Sequence, residues 1–78
     1  MYKFNEFIAL DPEIRFGKPC VIGTRISVQD ILGWLAAGMR FEEIIEDYPE
    51  LNMEKIRAAL AFASYRESRT KTVIDLPL

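Results

Sequence analysis

The clearest periodic pattern in the chain begins after Ser27. Val28, Ile31, Leu32 and Leu35 fall at i, i+3, i+4 and i+7, which is one face of a helix. The spacing predicts a first helix from Val28 to Ala37, with Trp34 beside the apolar face and Gly38 placed to end it in left-handed backbone. Ser27 is a good N-cap, Asp30 follows at the capping-box position, and Ile26 and Ile31 flank them at the staple positions. A shorter second helix is predicted from Phe41 to Asp47. Ile44 and Ile45 point inward, and Glu42 and Glu43 sit in the first turn, where the helix dipole favours them. Arg40 is a poor capping residue there, although Met39 and Ile44 are in staple register. Pro49 stops this helix by pushing Tyr48 out of helical backbone. Asn52 then caps a third helix, expected to reach about Arg66, with Leu51 and Ile56 as its staple. Its inward face reads as Met53, Ile56, Leu60 and Ala63, with Ala59 at the edge.

Residues 1–27 lean towards turns and strands. A short strand is expected around Phe7 to Leu10, broken by Asp11-Pro12. Gly17 and Pro19 then punctuate the chain, Cys20-Val21-Ile22 suits a strand, and Gly23-Thr24 turns it so that Arg25-Ile26 can pair back. The pattern as a whole predicts one α+β domain, mainly α. A short β element over 1–27 precedes three helices over 28–66, followed by a C-terminal tail over 67–78. The last two helices are separated by a few residues, as in a helix-turn-helix.

Asp11-Pro12-Glu13-Ile14, Gly17-Lys18-Pro19, Gly23-Thr24-Arg25-Ile26-Ser27-Val28, Gly38 and Tyr48-Pro49 together resemble the bacterial domain of unknown function 433 family, over about residues 8 to 65. That family is similar to VapB-type antitoxins with a homeodomain-like helix-turn-helix. The resemblance implies an antitoxin subunit that binds a PIN-like nuclease toxin and represses its own operator. The alternative is a dimeric interaction module that does not touch DNA. Gly17, Pro19, Gly23, Thr24 and Arg25 form the structural signature. Arg25 is either a phosphate contact or a brace hydrogen-bonded to carbonyls or to Asp11 or Asp30.

Length and charge sharpen the choice. A chain of 78 residues has a marginal core and needs help from disulfides, metal or association. One cysteine, Cys20, and no histidine exclude an internal disulfide and count against a zinc site, so self-association as a homodimer, or a bound partner, is expected. Cys20 lies in an apolar run and reads as a buried, inert thiol. No apolar run approaches the roughly 20 residues that cross a bilayer, and no signal pattern opens the chain, which reads as cytoplasmic and not membrane-bound. Catalysis is not expected: there is no histidine base, no activated nucleophile and no phosphate-cradling loop, and neither cofactor nor metal is called for.

Net charge is −2, which disfavours an autonomous nucleic-acid binder. The charge is uneven, however. Glu42 to Glu50 holds five acids and no base, whereas Lys55 to Lys71 holds five bases and one acid. If DNA is bound, Asn52, Lys55, Arg57, Arg66 and Arg69 are the candidate contacts. The outer stripe of the third helix, Ala58, Ala61, Phe62 and Tyr65, is small, apolar and aromatic instead of basic. It suits a partner or dimer interface, or cover by the chain's own β unit or C-terminal tail. Val73, Ile74 and Leu76 in the tail suit docking as an added strand on a partner, or on the chain's own fold or its dimer mate.

Overall fold

A computed structural model describes the backbone of residues 1–74 and the side chains of residues 1–68. Three short strands come first: β1 (Tyr2–Lys3), β2 (Ile8–Leu10) and β3 (Pro19–Val21). They form an antiparallel sheet in the order β1-β2-β3, with Tyr2 opposite Leu10, and Ile8 opposite Val21. Asn5 makes the first reversal. Its Oδ1 accepts from the backbone N–H of Phe7 and of Ile8, both at 2.8 Å, so the side chain replaces ladder bonds where the strands part. Beyond β3 the chain does turn at Gly23, whose φ is +83°, but Arg25-Ile26 makes no full second strand. Val21 N–H donates to the Ile26 carbonyl at 2.9 Å and an isolated bridge joins Cys20 to Ser27, too little to make a fourth strand. The principal partner of β3 is β2, upstream.

Three helices follow: α1 (Val28–Ala36), α2 (Phe41–Asp47) and α3 (Met53–Ile74). The class is therefore α+β, mainly α, with the β element first. The caps explain where the helices begin. Ser27 Oγ accepts from Asp30 N–H at 2.9 Å, and Asp30 Oδ2 accepts from Ser27 N–H at 3.0 Å, a complete reciprocal box. Asn52 Oδ1 accepts from Lys55 N–H at 2.8 Å. Arg40 offers α2 no acceptor, and Glu43 reaches back instead, taking the Arg40 N–H at 2.8 Å. That bond holds the Glu43 carboxyl below its ordinary pKa. Gly38, with φ +99°, closes α1 as its position predicts.

The core gathers Ile8 and Val21 from the sheet, Ile26, Val28 and Ile31 at the start of α1, Ile44 from α2, Leu51 between helices, and Ile56, Ala59 and Phe62 from α3. Trp34 and Tyr48 stack at 4.1 Å with planes 11° apart and close the α1–α2 corner.

Four expectations need correction. Leu32 and Met53, assigned inward, are 36% and 39% exposed, because they lie at the edges of their helix faces and the small core does not reach them. Phe62, assigned to the outer stripe, is buried at 6%. Phe4 meets it edge-on at 4.8 Å and also approaches Tyr65 at 5.1 Å, so the chain's own first hairpin covers this side of α3. Finally, α3 does not stop at Arg66 but runs to Ile74. The run Arg66-Glu67-Ser68-Arg69-Thr70-Lys71 contains no glycine or proline, and Arg, Glu and Lys are good helix formers. Val73 and Ile74 are thus helical and not an extended docking strand, whereas Leu76 lies outside the described residues.

Candidate interaction surface

The segment from Arg15 to Asp30 carries the most unusual backbone. Arg15, Phe16 and Gly17 all have positive φ, at 52°, 59° and 83°. For the two that are not glycine this costs roughly 1–2 kcal/mol each. Arg15 holds the turn in place. Its Nη1 donates to the Arg25 carbonyl at 2.8 Å and to Asp30 Oδ2 at 3.0 Å. One guanidinium therefore joins the left-handed turn, the loop after β3 and the first turn of α1. Burial alone would raise the Asp30 carboxyl, but the bonds from Ser27 and Arg15 outweigh it and hold the group below its ordinary pKa. Thr24 completes the loop: its hydroxyl donates to the Val21 carbonyl at 2.9 Å and accepts from Ile26 N–H at 3.0 Å.

The brace expected of Arg25 is thus supplied by Arg15, and Arg25 contributes its carbonyl while its side chain is exposed. The turn displays Phe16 with 100% of its surface exposed. Sequence reasoning gave neither Arg15 nor Phe16 a role, because a left-handed turn leaves no period. The available signal was an arginine and an aromatic immediately before Gly17-Lys18-Pro19, a place where no helix or strand pattern claims them.

The proposed nucleic-acid residues with described side chains lie along α3 and at its cap. Asn52 Oδ1 is engaged in capping α3. Lys55 Nζ donates to the Glu50 carbonyl at 2.9 Å. Arg57 is exposed on a shallow surface beside Asn5, Glu6, Phe7, Glu54, Ala58 and Ala61. Arg66 lies over the Phe62 ring at 5.4 Å, and the Arg69 side chain is outside the described set. Glu42, Glu43, Glu46, Asp47 and Glu50 are all exposed on and just after α2, the helix that precedes α3. Of the outer stripe, Ala58 is half-buried, and Ala61 and Tyr65 are exposed.

Cys20 is buried, at 5% exposure, and burial pushes its thiol up despite the nearby charge of Arg15. It stays protonated at neutral pH. Among the described residues no cluster of His, Cys, Asp and Glu could hold a metal ion, and no helix is long and apolar enough to cross a membrane.

The family profile described as "Protein of unknown function (DUF433)" matches residues 8–63. The chain belongs to this family. A relative from Sinorhizobium fredii (strain NBRC 101917 / NGR234), named "Uncharacterized protein y4eO", is 38% identical over 75 residues. The match covers 94% of this chain and 34% of that protein, so the chain spans about a third of its relative's length. The crystal structure of a DUF433 member protein from Anabaena variabilis ATCC 29413 superposes with a TM-score of 0.74 at 23% identity, over 88% of this chain and 68% of that one. That likeness establishes a common fold within the family.

Proposed function

We propose that the domain is a non-catalytic docking subunit of antitoxin type that acts in the cytoplasm and binds a PIN-like nuclease through the part of α3 beyond the core. The observation that carries this reading is the departure of α3 from the body. The inward positions end at Phe62 and Ala63, every side chain from Ser64 to Ser68 is exposed, and the helix continues to Ile74. Tyr65 keeps a ring contact with Phe4 and Arg66 lies over Phe62, but side chains this exposed bury little, and a helical segment that buries little gains little from propensity alone. A groove on a partner would bury the exposed side of this segment, in the helix-in-groove mode. This replaces the strand-addition use of Val73 and Ile74.

The acidic surface around α2 supports a protein partner over duplex DNA, since it would meet phosphate next to the N-terminal half of α3. The resemblance to VapB-type antitoxins supplies the class of partner. The test is co-expression with the product of the neighbouring reading frame, which this reading expects to be a PIN-like nuclease, followed by co-purification and assay of RNA cleavage. The full chain should form a complex and suppress cleavage, and a chain ending at Arg66 should do neither. Full suppression by the shortened chain, or no complex with the intact one, overturns the reading.

A further inference from the structure

We infer that the domain pairs with a second copy of itself by inserting Phe16 of each copy into the cleft between α1 and α3 of the other. Phe16 is the most exposed large apolar side chain among the described residues, and it is held there by backbone that an L-residue rarely adopts. Within one copy that arrangement has no return, for the ring packs on nothing while Arg15 spends two hydrogen bonds keeping the turn in place. A rigid aromatic knob is what a pre-organised contact requires, because little freedom remains to be lost on docking.

The same chain carries a hole for it. A cleft of about 410 Å³ is lined by Val28, Gln29 and Leu32 of α1 and by Ala63, Arg66 and Glu67 of α3. Leu32, 36% exposed, gives it an apolar wall, and the small Ala63 leaves room opposite. Charge matches as well. Lys18, two residues after Phe16, and Arg25, whose carbonyl is tied to Arg15, are exposed and form no salt bridge among the described residues, and residues 12–26 contain Glu13 as their one acid. The rim of the cleft presents Glu67, while its cation, Arg66, lies over the Phe62 ring. Knob and hole also adjoin. Arg15 ties the knob to Asp30 in the first turn of α1, and that turn supplies Val28 and Gln29 to the cleft. A two-fold pair needs this arrangement, with each surface of one copy meeting the complementary surface of the other.

Arg66 and Glu67 belong to both proposed surfaces, but Phe16, Gln29 and Leu32 belong to the pairing alone, so variants there separate it from the nuclease reading. Sedimentation velocity of the full chain across a micromolar concentration series tests it. The wild type should be a reversible dimer. Phe16→Ala should weaken pairing by about 30-fold or more, as for an aromatic anchor, with unchanged circular dichroism. Leu32→Arg should block the cleft to a similar degree, with Gln29→Arg as its substitute if the first variant loses helical signal. The two kinds of variant, when mixed, should form a heterodimer tighter than either homodimer, because one intact knob still meets one intact hole. A monomer throughout, a Phe16→Ala dimer of wild-type strength, absence of rescue on mixing, or growth into open filaments would each overturn it. A monomer would leave nuclease binding untouched.

Discussion

The block from Arg15 to Asp30 and the stretch of α3 beyond Ala63 are kept in shape by different means. In the first, side chains do the work. Arg15 joins its turn to the Arg25 carbonyl and to Asp30, Thr24 and the Ser27–Asp30 box close the local turns between, and the block includes two non-glycine residues in left-handed backbone. In the second, the side chains from Ser64 to Ser68 are all exposed, Tyr65 keeps a ring contact with Phe4, and the backbone is held chiefly by its own helical ladder. The difference teaches where damage spreads. A block built from cross-links loses several contacts when one member goes. A helical extension loses only what is cut.

Four outcomes can break or sharpen that contrast. The largest belongs to the point where the block meets the core. Ile31 is fully buried in the turn that carries Asp30, and Ile31→Ala should cost about 2–5 kcal/mol, read from chemical denaturation. Next comes Arg15→Ala. Its ion pair is one-third exposed, which limits the electrostatic part, but the Arg25 carbonyl and Asp30 both lose a donor, so a loss of about 1–2 kcal/mol is expected. A loss no larger than that of an exposed helix substitution would show that the turn holds itself.

The third outcome concerns acid. The folded Asp30 carboxyl is held below its ordinary value, so its contribution is fully present above about pH 4 and is lost as pH falls through the lower, folded value. Melting temperature should drop over that interval, and Asp30→Asn should flatten this limb while lowering stability at neutral pH. Smallest of all is removal of everything after Thr70. The core positions among the described residues lie upstream, so the shift should stay within about 0.5 kcal/mol. A clear drop in melting temperature, at equal protein concentration, would mean that the extension belongs to the folding unit.

The same contrast marks what could be read from the sequence. The bounds of α1 and α2 and the caps at Ser27 and Asn52 were legible, because caps and stops act over three or four residues. The hydrophobic set was mostly legible for the same reason. Phe62 was misplaced because its partner, Phe4, stands next to a two-residue strand with no period to announce it. The brace on Asp30 was foreseen in kind but assigned to Arg25. Arg15 and Arg25 are equally able to form it, and only the left-handed turn decides between them. The length of α3 was cut short because Thr72-Val73-Ile74 reads as a strand when taken alone. In the structure these residues continue a ladder already formed upstream, where propagation is cheap. The candidate surface was legible only in part, since Phe16 gains its exposure from backbone geometry and not from composition.

The stacked pair at the α1–α2 corner gives the molecule a built-in optical sensor. Trp34 is the single tryptophan, and the Tyr48 ring lies almost parallel to it at the end of α2. Its emission therefore reports on one junction, whereas far-ultraviolet ellipticity is weighted towards α3, the longest helix. Coincident melting curves from the two signals would mark a single cooperative unit. Ellipticity that persists or falls away separately from the tryptophan signal would show the long helix melting on its own schedule.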